Sequence, residues 1–546
     1  MIITLLIWLL LYIESSIIGN ALQGLAFGDR SNKDINLKQI LLGLVAITTA
    51  SSYFSLFAKI GATFAIILFL LSVSLFIIYR PNLLNLSFLK KLSIFQKVSI
   101  SISFVLVLEL STHAVLNPDT NIYHAQAIRW IENFPAILGL GNLHGRFAFN
   151  SAWFLINAVY SFSFLGGQSY HLVSSFLFLV VVIALISNLS PIHKKILLSD
   201  IVRMFFLFFA FLYLASDISS PGTDTPTTLI LWVLVLYLVE FLEDQNKNNL
   251  LIITILSTFA ITIKLSAVSV GVLILVILVF LLAQKDYKKV ALLFLTSGII
   301  FIPFLTRNFV LSGYMLYPFP SIDLFNVPWK VALDRVIEER NAILVWGRLP
   351  GEQISAAMKL GFTEWFPDWF AGQTLIRRAL VLFASASLLP LLIQWKLRLL
   401  GRLYFAIYFL TYFGFFFWLF ASPDFRFGYS FLIPTIVLTI APIMVALLNK
   451  FFNPTQINRT FFVLLVLLLM STLWLSFDNA TFMARILQPS DYDRVKTIPC
   501  GIGNASLFCA KSYNKCSYHD FPCIPHDRFW VFMAGEVYTD GFIGIK

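Results

Sequence analysis

Long apolar segments separated by short polar turns make up most of the chain. Segments of mostly apolar residues lie near 2–21, 39–58, 62–79, 98–116, 170–189, 203–217, 226–242, 249–263, 266–283, 290–308, 379–394, 402–420, 428–447 and 460–477. An α-helix needs roughly 17–25 apolar residues to cross the hydrocarbon core of a bilayer. The pattern therefore predicts an all-α polytopic membrane protein with about fourteen transmembrane helices.

The composition agrees with this interpretation. Of the 546 residues, 59% are hydrophobic and only 12% are charged, whereas a soluble domain has about 25% charged residues. The formal net charge of +11 would suggest nucleic-acid binding in a soluble protein. In a membrane protein, Lys and Arg instead collect in cytoplasmic loops, so we expect membrane lipids as partners and no nucleic acid.

The positions of the basic residues predict which helix ends lie in the cytoplasm. Short basic loops recur along the chain, with the sequences "DRSNKD", "RPNLLNLSFLKKLSIFQK", "HKK", "EDQNKNN", "QKDYKK", "KLRLLGR" and "NKFFNPTQINR". They all lie on one side only if the apolar stretch 151–165 does not cross the membrane. We therefore expect 151–165 to be a re-entrant or interfacial helix. The segments on the opposite, outer side are then 117–150, 216–226, Lys264, 309–378, 421–427 and 478–546.

This topology divides the chain into five parts. They are N-terminal transmembrane helices with a basic loop (1–97), a transmembrane core with the first outer loop (98–308), a large outer loop (309–378), C-terminal transmembrane helices (379–477) and an outer tail (478–546). The helical spacing of aromatic and charged residues in the large outer loop predicts amphipathic helices that lie on the membrane surface.

All four cysteines lie in the outer tail, and they are Cys500, Cys509, Cys516 and Cys523. An even number of closely spaced cysteines on the outer side of a membrane is typical of disulfides formed in an oxidising compartment. We expect two disulfides, and the sequence allows three pairings. The alternative is a zinc site, although the close C-x₂-C pair that structural zinc sites favour is absent from the sequence.

Polar residues with possible chemistry begin in the first outer loop, in "NPDTNIYHAQAIRWIEN". This stretch predicts a helix along the interface, with Gln126, Arg129, Glu132 and Asn133 facing water. Asp119 either caps the N-terminus of that helix or has a chemical role. His124 alone would more often be a structural hydrogen-bonding residue than a ligand.

Four further outer turns carry charged residues. They are "SDISSPGTDTPTT" with Asp217 and Asp224, "ITIKLSAV" with Lys264, "PFLTRNF" with Arg307, and "ASPDFRFGYS" with Asp424 and Arg426. Each residue alone could cap a helix or extend to the interface. Together, acids and cations at one membrane depth predict a site for an anionic lipid headgroup beside a carboxylate that accepts a proton.

The chain resembles the GT-C superfamily of glycosyltransferases, which are polytopic membrane enzymes that use polyprenyl-phosphate-linked sugars. The resemblance covers roughly residues 98–450. It rests on "NPDTNIYH", "GNLHGRFAFNSAWFLINAVYSF", "SPGTDTPTTLILW", "AITIKLSA", "TRNFVLSGYMLYP" and "SPDFRFGYSFLIP", in the order of the family. Each motif is short, and it is their order and shared side of the membrane that make the match specific.

The resemblance implies a GT-C-like bundle in a bacterial inner (plasma) membrane with its active site on the periplasmic face. The expected donor is a polyprenyl-phosphate sugar, and the acceptor is a hydroxyl of a glycan, lipid or protein. Asp119 would act as general base in an inverting transfer. The other expected roles are phosphate binding by Lys264, Arg307 and Arg426, substrate orientation by Asp224 and His124, and either phosphate binding or anchoring of the re-entrant helix by Arg146.

Two departures from the family pattern leave the metal and the acceptor open. The first outer loop has one acid rather than an adjacent pair, and the re-entrant helix opens with "FNSAWF" in place of a Pro-rich sequence. If a divalent cation such as Mg²⁺ or Mn²⁺ is used, Asp119, Asp224 and His124 would be its ligands.

Two other functions are compatible with the sequence. A lipid-linked oligosaccharide polymerase or ligase would use several arginines in one large outer loop, and this chain has Arg335, Arg340, Arg348, Arg377 and Arg378 there. A transporter or flippase of lipid-linked glycans would favour inverted repeats, and the sequence has no visible repeat.

Overall fold

The structure is a computed structural model, and it confirms the predicted all-α architecture of a polytopic membrane protein. It describes residues 1–27, 35–83, 90–190, 195–244, 248–396, 401–502, 505–511, 515–525 and 531–544. Large parts of the predicted basic loops, at 28–34, 84–89, 191–194, 245–247 and 397–400, lie outside these ranges.

The described helices are numbered here in chain order. They are α1 (Ile2–Phe27), α2 (Leu37–Phe54), α3 (Ala62–Tyr79), α4 (Ile94–Ser111), α5 (Ala125–Asn133), α6 (Ala152–Val159), α7 (Val173–Ser187), α8 (Leu198–Phe209), α9 (Asp224–Asp244), α10 (Asn248–Ile263), α11 (Gly271–Ala283), α12 (Tyr287–Ser312), α13 (Leu333–Arg348), α14 (Ile354–Ala357), α15 (Phe362–Ala371), α16 (Leu375–Ala386), α17 (Leu388–Lys396), α18 (Arg402–Ala421), α19 (Phe425–Phe451), α20 (Pro454–Ser476) and α21 (Asn479–Arg485).

Twelve helical segments in the described ranges are long and apolar enough to cross a membrane. Two of the fourteen predicted spans, 170–189 and 249–263, instead appear as the shorter apolar helices α7 and α10. Every residue from 249 to 263 is buried within the protein. A helix that is enclosed by other helices does not have to match the thickness of the lipid, which explains why α10 can be short.

The stretch 151–165 contains α6, which has eight residues, or about 12 Å of helix. All eight residues are buried against neighbouring helices. The hydrocarbon core is about 30 Å thick, so α6 is too short to cross it, in agreement with the predicted re-entrant helix. The Ser151 hydroxyl donates to the Ile263 carbonyl at 2.8 Å and ties the start of α6 to the end of α10.

Several helices begin where the sequence supplies a side-chain cap. Asn36 and Ser93 form capping boxes with Gln39 and Gln96, at the starts of α2 and α4. The Asp286 carboxylate accepts the Lys289 backbone N–H at the start of α12. Such caps satisfy N–H groups that the first helical turn leaves without partners.

The tail forms two small sheets. The strands are β1 (Thr497–Ile502), β2 (Ala505–Ala510), β3 (Cys523–Ile524), β4 (Val531–Met533) and β5 (Phe542–Gly544). Strands β1 and β2 are antiparallel, with Thr497 opposite Ala510, and β3 runs parallel to β2. Strand β4 pairs with β5 in antiparallel orientation.

The tail shares a hydrophobic core with the two long outer loops. Trp130 from the first loop, Val336 from the second, and Leu507 and Phe542 from the tail belong to one buried cluster, separate from the large core of the helical bundle. This second core brings the first outer loop, the large outer loop and the tail together at one end of the bundle.

The structure pairs Cys500 with Cys509 and Cys516 with Cys523. The predicted pair of disulfides is therefore present, in the nearest-neighbour arrangement of the three that the sequence allows. No cysteine of the chain is free.

We expect protein extracted from its membrane without reductant to show no reactive thiol after denaturation. Loss of either disulfide should reduce the stability of the tail by about 2–5 kcal/mol, because a native disulfide restricts the unfolded chain. Thiol titration before and after reduction, with thermal unfolding of paired Cys→Ser variants, measures both effects. Four reactive thiols together with stoichiometric zinc would contradict the disulfides.

Candidate functional site

The helix that carries Asp119 and His124 begins with a wide, π-helical turn over Thr120–His124. In this turn the Ala125 N–H bonds to the Thr120 carbonyl rather than to the Asn121 carbonyl. Such turns are frequent at functional sites. The Asp119 side chain makes no capping hydrogen bond to this turn, so capping does not explain the residue.

Asp119 instead joins a group of ionic side chains that we call the charge cluster: Asp119, Arg146, Asp224, Lys264 and Arg426. The Asp119 carboxylate lies 3.0 Å from the Arg426 guanidinium and 3.4 Å from that of Arg146. Lys264 pairs with Asp224, and the second oxygen of Asp224 lies 4.0 Å from Arg426. Five of the predicted site residues therefore lie together.

Three cluster residues lie at helix ends, where polar side chains can reach the same edge of the bundle. Asp224 is the first residue of α9. Lys264 follows α10 directly and has extended backbone, so the helix stops there. Arg426 is in the first turn of α19, where Asp424 accepts from its Nε at 3.2 Å and from a terminal nitrogen at 3.0 Å.

Arg146 is held by a residue that sequence reasoning missed. Its Nε lies 3.3 Å from Glu339 on α13. A Cβ at Gly145 would lie 2.6 Å from a Glu339 oxygen and 2.9 Å from the Tyr317 hydroxyl, so only glycine lets these side chains come so close. No spacing rule links Arg146 to a residue 193 positions away.

Aromatic rings surround the cations of the cluster. The Lys264 Nζ lies 3.4 Å from the centre of the Phe427 ring, and the Arg146 guanidinium lies 5.6 Å from that of Tyr123. Tyr123 in turn packs edge-on against Phe149 at 5.8 Å. Ring faces attract cations more strongly where water is partly excluded, so the rings hold the cations in place without neutralising them.

His124 is buried beside the cluster. Its Nδ1 lies 3.1 Å from the Thr120 hydroxyl, which contacts the Ser220 hydroxyl at 2.8 Å. A Cβ at Gly222 would come within 3.6 Å of the His124 ring, so the "SSPGTD" turn packs closely over it. Burial lowers the pKa of His124 from 6.5 to about 4, and the imidazole is therefore neutral at pH 7.

Opposing effects set the pKa of Asp119. Burial alone would raise it, but the charges of protonated His124, Arg426 and Arg146 outweigh burial and hold the pKa below its ordinary value of 3.8. Asp119 is consequently an ionised carboxylate at neutral pH. While both arginines remain paired with it, it is a weak acceptor for a proton.

Asp217, present in the same turn as Asp224, also lies in this region. Its carboxylate accepts from the Asn117 amide at 3.1 Å and from the Thr225 hydroxyl at 3.2 Å. Asn117 also accepts the Asp119 backbone N–H at 3.0 Å. Asn117, which bonds to Asp119, and Thr225, which follows Asp224, are thereby connected through Asp217.

Arg307 was predicted to bind phosphate, but it forms no ion pair with the charge cluster. It is 4% exposed on α12 and donates to the Ser55 hydroxyl at 3.0 Å. Among the described residues, no carboxylate lies within ion-pair distance of it. Because α12 packs against α2, Arg307 faces the end of that helix.

The acids of the cluster are not arranged as a metal site. Arg426 lies between Asp119 and Asp224, and His124 is directed to Thr120. Across the described ranges, no group of three or more His, Cys, Asp or Glu residues could hold a metal ion. The residues present therefore do not fit the divalent cation that was left open.

The face of α5 that was predicted to be exposed to water is largely buried. Gln126 is 0% and Glu132 is 6% exposed, whereas Asn133 is exposed as predicted. The residues of the tail cover this face, and Arg129 donates to the His519 carbonyl at 2.6 Å. A polar face is not evidence of exposure when a distant segment offers hydrogen-bonding groups that match it.

The fold and the cluster define a polytopic α-helical membrane protein with a polar site at one end of its bundle. Residues 1–433 match the family model described as "Domain of unknown function (DUF8201)". Since this match covers most of the 546-residue chain, the protein belongs to that family. No curated protein matches the chain, and no solved structure matches it.

The low pKa of His124 predicts that acid destabilises the protein. The unfolded chain takes up the proton near pH 6.5 and the folded protein only near pH 4, so stability falls as the pH drops between these values. Below pH 4 the loss from this residue should approach about 3 kcal/mol. The variant His124→Asn, which retains a polar atom near Thr120, should lose correspondingly less stability between pH 7 and pH 4 in thermal unfolding. The same pH dependence in both proteins would contradict this origin.

Proposed function

We propose that this protein is an integral membrane glycosyltransferase. It moves a sugar from a polyprenyl-phosphate donor to an acceptor hydroxyl, with inversion at the anomeric carbon. The observation that carries the proposal is the charge cluster, in which Asp119 lies between Arg146 and Arg426. The rival explanation of Asp119 as a helix cap lacks its hydrogen bond.

The three cations of the cluster would hold the donor phosphate. Arginine binds phosphate oxygens through two parallel N–H groups, and lysine adds a mobile point charge. Lys264, Arg146 and Arg426 have side chains that are 21%, 29% and 31% exposed, so a headgroup can reach all three. The carboxylates that now pair with them balance their charge while the donor is absent.

A bound phosphate would change the basicity of Asp119. The phosphate would compete with the carboxylate for Arg426 and Arg146, which together with protonated His124 hold the pKa of Asp119 low. Once these arginines turn to the phosphate, the pKa of Asp119 rises towards its ordinary value. The arrangement would therefore make Asp119 a stronger base when the donor is in place.

The transfer would then follow an inverting displacement. Asp119 takes the proton of the acceptor hydroxyl, and the hydroxyl oxygen forms a bond to the anomeric carbon while the bond to the phosphate oxygen breaks. The bond electrons leave with the polyprenyl phosphate, whose charge the cations stabilise. Asp224 would orient Lys264, and His124 would position the turn that carries Asp119.

The proposed location is the periplasmic face of a bacterial plasma membrane. Two observations support this side. The sequence predicts basic loops at the other ends of the helices, and the tail that packs beside the cluster contains two disulfides, which form in oxidising compartments.

The polymerase or ligase alternative receives less support. It would need free arginines in the large outer loop, but Arg348 donates to the Phe420 carbonyl at 2.9 Å and Arg378 to the Gln373 carbonyl at 2.8 Å. Arg335 pairs with Glu338 at 3.1 Å. Contacts within the protein thus occupy these three side chains, whereas the cations of the charge cluster lie together beside Asp119.

Asp119→Asn should reduce transfer by about 10²–10⁴-fold, because the amide keeps the size of the side chain but cannot take a proton. Donor binding should be retained or strengthened, since a negative charge beside the phosphate is removed. Single-turnover transfer from saturating donor, beside a donor-binding assay, measures both quantities. Asp286→Asn, at a helix start in a basic loop of the opposite end, is the matched control. Near-native turnover in Asp119→Asn would refute the proposed base.

Lys264→Met should weaken donor binding as well as turnover, because its charge would contact the phosphate before and during transfer. Loss of one charged hydrogen bond, about 1.5–3 kcal/mol, corresponds to roughly 10- to 100-fold in Kd. Lys289→Met, which removes a lysine paired with Asp286, should bind donor normally. Unchanged donor affinity in Lys264→Met would exclude the lysine as a phosphate ligand.

A further inference from the structure

The polar face of α5 is covered by residues 516–523, which the Cys516–Cys523 bond closes into a ring; we call this segment the disulfide loop. Strand β3 begins at the end of the loop, with Cys523 opposite Phe508. The loop belongs to the tail, but its hydrogen bonds reach the helix that carries Asp119 and His124.

The first contacts hold the π-helical turn. The backbone N–H groups of Cys516 and Ser517 both donate to the Asn121 carbonyl, at 2.9 and 2.8 Å. In a regular α-helix that carbonyl would accept from Ala125, which here bonds to Thr120 instead. The disulfide loop therefore supplies the donors for the carbonyl that the wide turn leaves without its helical partner.

Further contacts follow the helix for two turns. The Gln126 side-chain amide donates to the Ser517 and Asp520 carbonyls, both at 2.9 Å, and its oxygen accepts from the Cys523 N–H at 3.0 Å. The side-chain nitrogen and the side-chain oxygen of Gln126 therefore both bond to the loop. Arg129 lies 4.8 Å from the ring centre of Tyr518 and also donates to its carbonyl.

The last contact gives a buried acid a hydrogen-bond donor. Glu132 accepts from the Tyr518 hydroxyl at 2.7 Å and from the Ser169 hydroxyl at 3.2 Å. Burial and the neighbouring Glu132 raise the pKa of Tyr518, so the hydroxyl keeps its proton and remains a donor. Without the loop, Glu132 would lose a charge-assisted hydrogen bond in a buried position, which is costly.

Loss of the loop would favour a different helical register. The Ala125 N–H could then bond to the Asn121 carbonyl. The π-helical turn would become an α-helical turn, in which the hydrogen bond spans one residue fewer. Each residue of an α-helix turns the chain by about 100°. The change would therefore rotate the residues that precede the turn by about that angle. Asp119 would no longer face Arg146 and Arg426.

We propose that the disulfide loop is the positioning element of the charge cluster. It holds the π-helical turn that directs Asp119 at Arg146 and Arg426, and it has the required shape only while Cys516 and Cys523 are bonded. The predicted effect on transfer rests on the proposed function, whereas the predicted effect on the turn does not.

The second disulfide provides a matched control within the same tail. Cys500 and Cys509 lie on β1 and β2, which are already paired by backbone hydrogen bonds from Thr497 to Ala510. The two rings are of similar size, with separations of 9 and 7 residues. Removal of either bond therefore has a similar effect on the unfolded chain, but only one of them closes the loop on α5.

The experiment compares Cys516→Ser/Cys523→Ser with Cys500→Ser/Cys509→Ser in the full chain, purified in detergent. Hydrogen exchange by mass spectrometry over peptides from 117 to 133 is the first measurement. The loop variant should exchange roughly tenfold faster there or more, and the hairpin variant should show a clearly smaller increase. In transfer assays, kcat should fall by about 10²-fold in the loop variant alone.

Gln126→Leu keeps both disulfides and removes three hydrogen bonds to the loop, so it serves if the cysteine variant does not fold. It should also accelerate exchange across the π-helical turn. Equal exchange in native protein and Gln126→Leu, or equal effects of the two cysteine pairs, would overturn the proposal. If the native protein transfers no sugar while the exchange results hold, the proposed function fails and the positioning role stands.

Discussion

Ion pairing of charged side chains organises the charge cluster at the outer end of the bundle, whereas buried Arg307 has a hydrogen bond to Ser55 instead. A charge left alone in a poorly hydrated site costs several kcal/mol, so each ion needs a partner. Arg426 meets the need of three acids at once, because it contacts Asp424 in its own turn, Asp119 from the first outer loop and Asp224 from α9. Three segments far apart in sequence are therefore fixed relative to one another by a single guanidinium.

The transmembrane architecture could be predicted from the sequence because a backbone in lipid can satisfy its hydrogen bonds in only a few structures. Only a helix satisfies its own hydrogen bonds in hydrocarbon, so apolar length and basic loops were enough to place the spans. The same reasoning brought Asp119, Asp224, Lys264 and Arg426 to one end. The predicted phosphate contact of Arg307 stays a prediction: the residue bonds to Ser55 rather than to the cluster, and hydropathy gives the depth of a residue but not the direction in which its helix face points.

The remaining features depended on contacts that no local pattern encodes. Glu339 contacts Arg146 from 193 positions away, beside a glycine that leaves room for its carboxylate, and the polar face of α5 is covered by a segment nearly 400 residues later, as in the bond from Gln126 to Asp520. The cysteine count indicated two disulfides, but which cysteines pair could be identified only from their positions in the fold. Tertiary contacts of this kind decide whether an amphipathic helix faces water or protein.

The shared core of the loops and tail has a consequence for biosynthesis. Asn142 donates to the Phe542 carbonyl across 400 residues, and Trp130 packs in the same cluster as Leu507. A ribosome delivers the first outer loop long before the tail, so the helices can insert while this core is still missing. The nascent chain must therefore keep the apolar surface of its first loop protected, by lipid or by a chaperone, until the last part of the sequence arrives.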